Sequence, residues 1–432
     1  MAKKKREDKP KEYTRRQLSH FQKQKRRQRI IFISGVGIIA AVLLIVLFGW
    51  YLGEYRPVHR TVIKVNETRF NTGYYVDMLK LFGSSQDMNT LTTTLTNNII
   101  EGALVRQEAE KLGIVVNDDE VRKDLEEAGS PTTDVYVDII RTQKLQERLS
   151  EEYFGIQLPV SANQVYMMAM LAESESVADE VRAKVINGDN FTALARQYGQ
   201  NYYSKNEPYG DFGWHPAEVF QGRFDTLVPV DYAFGAAAGD VSPPLSDNAS
   251  YKQLGYWLIK VLSMSEDEEG QVQALLLSSL DEAVDIKARL ESGDNLTALA
   301  AQYSQFSTSR ENGGELGTIS RPSSANDTAI SVAFDGYVFN PGTELGKWSD
   351  PVKDTEYWTQ GGAWVVKVVD KADDRELSSE DRTILINKAY SEWVEQLPLV
   401  HAAEIDISGL TEEVRVWMIS RAQEELQQAV GG

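Results

Sequence analysis

The longest apolar stretch of the chain is residues 30–52, twenty-three positions without a charge. At 1.5 Å per residue this is roughly 34 Å of helix, enough for a ~30 Å hydrocarbon core. Trp50 and Tyr51 close the stretch, where aromatic side chains favour a membrane interface. The pattern then changes. Thr61-Val-Ile-Lys-Val-Asn66 reads as a short strand. Leu91, Leu95, Ile99 and Ala103 recur every fourth residue, one stripe of a helix. Gly113 follows Lys111-Leu112 as a helix stop, and Asn117 with Glu120 reads as a capping-box start. Another helix is predicted over 135–153, so residues 61–160 read as mostly helical. Alternating apolar and β-branched positions predict strands at 165–171, 257–262, 272–277 and 364–369. Helices are predicted at 379–396 and 412–428.

The most specific feature is an internal repeat. Gly188-Asp-Asn-Phe-Thr-Ala-Leu-Ala-Arg-Gln-Tyr-Gly-Gln200 matches Gly293-Asp-Asn-Leu-Thr-Ala-Leu-Ala-Ala-Gln-Tyr-Ser-Gln305 at ten of thirteen positions. Gly210-Asp-Phe-Gly213 answers Gly314-Glu-Leu-Gly317. Gly255-Tyr-Trp-Leu-Ile-Lys-Val261 answers Gly362-Ala-Trp-Val-Val-Lys-Val368. An offset near 105 is domain-sized, so this is a duplicated domain and not a solenoid. Ser265-Glu-Asp-Glu-Glu-Gly270 reads as a solvated linker between the copies. A length of 432 residues suggests about three domains in all.

Charge gives the chain a direction. Residues 1–29 hold thirteen Lys/Arg and three Asp/Glu, a net of +10, against −19 for the whole chain. The remainder therefore carries −29, a poor match to nucleic acid, whose binding rests on phosphate neutralisation. The basic arm should stay in the cytoplasm and the acidic body should be extracytoplasmic. A cleaved signal peptide would have 7–15 apolar residues and a small-x-small site. The run here is longer and 48–55 offers no such site, so a single-pass, uncleaved membrane anchor is expected, with the lipid bilayer as a partner.

There is no cysteine, which excludes disulfides, thiol nucleophiles and thiolate metal centres. The four histidines, His20, His59, His215 and His401, are scattered, so no metal site is expected, and no cofactor either. His215 reads as a surface residue. No P-loop, HExxH, GxSxG or Rossmann fingerprint is present. Asn-x-Ser/Thr triplets begin at Asn66, Asn190, Asn248, Asn295 and Asn326.

The repeat unit resembles the parvulin-type, PpiC-like peptidyl-prolyl isomerase domain. Gly188, Phe191, Leu194-Ala195 and Tyr198 fit its helix motif, and Gly210-Asp-Phe-Gly213 its glycine turn. Ala233-Phe-Gly-Ala-Ala-Ala-Gly-Asp-Val-Ser-Pro-Pro244 and 255–261 fit its late segments. The second copy retains Gly313-Gly-Glu-Leu-Gly317 and Trp348-Ser-Asp-Pro-Val352. Residues 104–121 resemble the amino-terminal helical domain of SurA- and PrsA-like foldases. The resemblance implies an α+β protein: a single N-terminal transmembrane helix, a helical SurA-N-like chaperone domain and two tandem parvulin-like domains. The expected boundaries are a basic arm at 1–29, the membrane helix at 30–52 and the helical domain at 58–160. The parvulin-like copies follow at 161–265 and 270–372, and C-terminal helices at 376–432. In related foldases the tail helices share one module with the amino-terminal ones.

The resemblance fails where chemistry is expected. The family's first-strand histidine falls at Ala169 and Ala274, and its last-strand histidine at Trp257 and Trp364. Phe234 fits the late aromatic position. These five are the peptide-groove positions by family match, and no residue is assigned as catalytic. Each Trp reads as core packing or, alternatively, as a platform for bound peptide. The expected function is a membrane-anchored folding factor that binds unfolded or nascent exported polypeptides with weak isomerase turnover. The alternative is a non-catalytic envelope scaffold for a dedicated partner.

Overall fold

The computed structural model describes residues 39–83, 87–321 and 330–430, together with Phe32 and Val36. The basic arm, most of 30–38 and Asn326 lie outside the described residues. The chain divides into two compact units. One combines the segment up to Phe154 with that from Ala389, and the other is Gly155–Lys388.

The first unit begins with helix α1 (Ile39–Val58), the one helix among the described residues long and apolar enough to cross a membrane. The hairpin β1 (Thr61–Val65) and β2 (Thr68–Asn71) turns through Asn66, at φ 53°. Asn71 caps α2 (Thr72–Phe82) by accepting from the Tyr74 N–H at 2.9 Å. Helix α3 (Met88–Lys111) buries the expected stripe of Leu91, Leu95, Ile99 and Ala103. Gly113 ends it at φ +80°; its N–H donates to Glu110 O at 3.0 Å, and the Ile114 N–H donates to Ala109 O at 2.8 Å. That is the Schellman pattern the glycine predicts. The capping box at Asn117 does not form. Asn117 precedes α4 (Asp118–Glu127) with no side-chain cap, because Glu120 instead accepts from Arg148 at 2.8 and 3.1 Å. Helix α5 (Asp134–Arg148) runs on through a π turn to Phe154.

In the second unit the repeat explains itself locally. Strand β3 (Ser161–Ala172) leads to α6 (Glu175–Ile186) and α7 (Phe191–Tyr198). Gly188 stops α6 at φ +96°, and Asn190 starts α7 by accepting from the Ala193 N–H at 2.8 Å. The matching Gly293, at φ +100°, and Asn295, which accepts from the Ala298 N–H at 2.9 Å, do the same work. They separate two helices of the second copy, Leu280–Ser292 and Leu296–Tyr303. The repeated Gly-Asp-Asn string is thus a helix stop joined to a helix start. Two of the Asn-x-Thr triplets are accounted for as helix caps.

The remaining strands are β4 (Asp211–His215), β5 (Leu245–Ser246), β6 (Tyr251–Lys252), β7 (Gly255–Met264) and β8 (Glu269–Leu277). Then come β9 (Glu315–Ser320), β10 (Val352–Asp354), β11 (Thr359–Gln360) and β12 (Ala363–Glu376). They form two antiparallel four-stranded sheets, ordered β4-β3-β12-β5 and β10-β7-β8-β9, and a ribbon of β11 with β6. The expectation that each copy closes its own sheet is not how the strands pair. The closing strand of the first copy, β7, lies against the opening strand of the second, with Ile259 opposite Ala274. The closing strand of the second copy, β12, lies against the opening strand of the first, with Val366 opposite Ala169. The reason is the connection at 265–268. It is a tight turn and not a spacer: the Ser265 N–H donates to Glu269 O at 2.9 Å, with Glu268 at φ 57°. A link this short joins antiparallel neighbours in one sheet and does not run between the centres of two. The expected boundary at 265/270 falls inside one hairpin.

The chain then returns to the first unit. Residues from Ala389 in α8 (Ser379–Val400) bring Tyr390 and Trp393 to Phe154, at ring separations of 6.1 and 5.8 Å. Strand β13 (Ile405–Asp406) extends the hairpin in the order β13-β1-β2. Helix α9 (Glu412–Val430) buries Met418 and Ala422, and Glu425 accepts from Lys80 of α2 at 2.8 Å. Ending the chain at residue 376 should therefore unfold 61–154. It removes the buried Tyr390, Leu397, Leu410 and Met418, each worth about 1.5–3 kcal/mol, against a typical domain stability of about 5–15 kcal/mol. Hydrogen exchange at the amides of 91–105 checks this. Equal protection with and without the tail would rule out a shared module.

Candidate functional site

Four of the five groove positions sit on sheet faces. Ala169 and Trp364 share the core of the first sheet, and Ala274 and Trp257 that of the second. The pairs therefore cross the repeats, where the sequence alone pairs Ala169 with Trp257. All four are buried, Trp257 at 0% exposure and Trp364 at 2%. Phe234, on the helix Val228–Gly235, is half-buried, with its ring 6.3 Å from that of Phe220.

Each face is filled by the chain's own aromatic residues. Trp364 meets Phe224 edge-on at 5.3 Å, and Phe224 meets Phe212 at 4.8 Å. Trp257 is ringed by Phe334, Phe306 and Tyr357 at 4.9, 5.2 and 5.6 Å. Such edge-to-face packing adds to the burial energy of the rings. The indole N–H groups also have buried partners. Trp257 donates to Asp354 at 2.7 Å, and Trp364 to Asp247 at 2.9 Å. Asp354 also accepts from Ser331 and from the backbone of Glu356 and Tyr357. Asp247 accepts from the Ala249 and Ser250 N–H groups and the Ser250 hydroxyl. Burial pushes the Asp247 carboxyl up, but these donors, Trp364 foremost, outweigh it and hold the group below the usual carboxylate range.

Sequence reasoning missed both aspartates, although the repeat carried a signal. Each stands ten residues before the tryptophan of its own copy, yet bonds the tryptophan of the other. His215 departs from its surface reading. It ends β4 largely buried, with Nδ1 2.6 Å from Oδ1 of the fully buried Asp381. Between the two sheets a polar cleft of about 330 Å³ is lined by Glu173, Glu175, Glu282, Ser174, Ser246 and Ser279. Lys252 lies buried near it and donates to Gly361 O, and burial pushes its ammonium down to about 8.

The first unit offers a different surface. A cleft of about 240 Å³ is lined by Phe70, Tyr74, Met78, Phe82 and Ile99, with Asn98, Gln107, Gln143 and Gln146 and the charged Arg106, Asp138 and Arg141 around them. Apolar rings flanked by amides can take an extended backbone and its side chains without demanding a sequence.

Residues 265–372 match the family of PPIC-type PPIASE domains. That matched segment begins in the β7–β8 turn and ends in β12, so the family's sequence unit is shared between the two sheets. Foldase protein PrsA 3 of Bacillus anthracis is 29% identical over 168 residues, covering 35% of this chain and 56% of that protein. Chaperone SurA of Hahella chejuensis is 23% identical over 278 residues, covering 60% and 59%. The chain thus spans little more than half the length of these relatives. A crystal structure of PrsA from Bacillus subtilis covers 85% of this chain and 93% of its own at 12% identity, with a TM-score of 0.17, too low to carry weight. The chain is therefore similar to SurA- and PrsA-type foldases, and its residues 265–372 match a parvulin domain of the PPIC type.

Proposed function

We propose that the protein is a membrane-anchored extracytoplasmic folding factor that holds unfolded exported polypeptides and turns over prolyl bonds little or not at all. In this reading α1 is the anchor, the first unit is a SurA-N-like chaperone module, and the second unit is a pair of tandem parvulin-like domains serving as a rigid scaffold. The observation that carries it is the state of the two parvulin faces. Both histidine places hold Ala and a buried, hydrogen-bonded Trp, and each face is packed with the chain's own rings. Acceleration requires binding the twisted amide better than the planar one. Among the described residues the polar groups of each face, Asp354 with Trp257 and Ser331 and Asp247 with Trp364 and Ser250, are spent on one another inside the core and offer no donor to a bound amide, and removing even one preorganised donor commonly costs about 10²–10³-fold. Unfolded chain is instead taken by the Phe70–Phe82 cleft of the first unit.

The test pairs two assays on residues 58–432. Relaxation of a cis Xaa-Pro peptide should run at the uncatalysed rate with stoichiometric protein, while aggregation of a reduced, unfolded client is suppressed. Phe82, 40% exposed at the cleft, can be altered without opening the core, and Phe82→Glu should weaken suppression. Isomerisation near the rate of an intact parvulin, or suppression indifferent to Phe82→Glu, would overturn the proposal.

A further inference from the structure

The acidic body carries an exception where the anchor emerges. Helix α1 ends at Val58, and only His59 and Arg60 separate it from β1. The join is tied: the Thr72 hydroxyl donates to Pro57 O, and the Thr72 N–H to Arg60 O at 2.9 Å. The first unit therefore follows the apolar helix without a flexible spacer. Against this exit lies a cleft of about 810 Å³, lined by Tyr51, Tyr55, Arg56, His59, Arg60 and Trp417 of α9, among others. Its one carboxylate is Glu413. The nearby Glu54 is engaged by Arg421 at 3.6 Å. Arg56 and Arg60 are exposed and have no carboxylate partner among the described residues. Tyr51, Tyr55 and His59 stack in series at 5.7 and 4.0 Å, forming an aromatic ladder along the helix end. Two apolar side chains stand out in water on the same unit: Val416, 55% exposed and next to Trp417, and Ile407, 44% exposed. The loop of Ile407 closes through the Leu410 N–H on Ile407 O at 2.9 Å, and its Gly409 lies close against the Thr61 carbonyl, beside Arg60.

We propose that this cleft binds the phosphate headgroup of a phospholipid in the outer face of the membrane, seating α9 on the bilayer surface. Arg56 and Arg60 supply the cations. Tyr51, Tyr55 and Trp417 supply rings of the amphipathic kind that settle at headgroup depth. A phosphate offset by two arginines is a strong, charge-assisted acceptor. The assignment rests on α1 crossing the membrane. It goes beyond that reading by fixing which surface of the exported body faces the lipid.

The absence of cysteine makes the test clean, because Val416→Cys introduces a single thiol. The full chain carrying a fluorophore there is reconstituted into phosphatidylcholine vesicles, with and without phosphatidylglycerol, that contain a phospholipid with a nitroxide on its headgroup. Strong quenching is expected, more so with phosphatidylglycerol, and Arg56→Gln with Arg60→Gln should abolish the increment. An unquenched fluorophore in protein that resists alkaline extraction would overturn the headgroup site while leaving the anchor intact. Release of the protein by alkaline extraction would overturn the anchor reading and the site with it. Quenching unaffected by the arginine changes, or relieved by inorganic phosphate, would also overturn the assignment, the latter by revealing a site for free anion.

Discussion

The fragment 255–354 should fold by itself, and the fragment 265–372, which spans the family's sequence unit, should be the less stable of the two. The first contains every strand of the second sheet, β7, β8, β9 and β10. It also keeps Trp257, Ile259 and Val261 with Ala274, Phe334 and Val338 in one core. The second lacks β7, a central strand, and exposes the edge of β8, an invitation to association. It can recover only by turning its own β12 back onto β8, since Gly362-Ala-Trp-Val-Val-Lys-Val368 resembles the missing strand. That requires residues 355–362 to be rebuilt, because in the full chain β12 is committed to β3, from Ala363–Ala172 to Glu376–Ser161, a strand this fragment lacks. The complementary experiment ends the chain at 354. The first sheet then loses β12 from its centre, and with it the buried Trp364, Val366 and Val368. At about 1.5–3 kcal/mol for each fully buried side chain, that sheet should not survive. Denaturant unfolding would show one cooperative transition for 255–354 at the same midpoint alone or in the longer chain. A stable monomeric 265–372 beside an unfolded 255–354 would mean that each copy closes on itself.

Much of this architecture is legible in the chain, and the gaps have physical causes. The stripe from Leu91 to Ala103, the stop at Gly113 and the strands around Ala169, Trp257, Ala274 and Trp364 follow from local periodicity and backbone conformation. The repeat itself announces two equivalent sheets. What the periodicity does not carry is partnership. Both closing strands read Gly-x-Trp-x-x-Lys-Val, so either fits beside either opening strand, and only the shortness of 265–268 decides between them. The exposure expected of Ser265–Gly270 holds for 265–269 while Gly270 is buried, and a hairpin turn stands where a linker between the copies is expected. Glu120 and His215 failed for the same reason. Each is bound by a residue distant in sequence, Arg148 and Asp381, that no local pattern indicates. The buried aspartates are the instructive case. Their spacing from tryptophan repeats in the sequence, but the bonds form across copies.

Replacing Trp257 with Ala should destabilise the second sheet by about 3–5 kcal/mol, the usual cost of emptying a large aromatic site. Trp257→Phe keeps most of the volume and removes only the N–H, so it should cost about 1–3 kcal/mol through the loss of a donor to buried Asp354. Trp257→His introduces the histidine that the parvulin resemblance expects there and returns a donor, yet it too should destabilise. The smaller ring cannot fill the space among Phe306, Phe334 and Tyr357. The sharper measurement is a pair of double-mutant cycles. With crossed strands, Trp257→Phe should couple to Asp354→Ala by about 0.5–3 kcal/mol, the range for residues in direct contact. It should be additive with Asp247→Ala, since Asp247 serves Trp364. If each copy instead closed its own sheet, Trp257 would stand beside the aspartate ten positions before it, and the couplings would be reversed. The two cycles therefore read the strand pairing through the energies of two hydrogen bonds, in a chain whose fold is otherwise untouched.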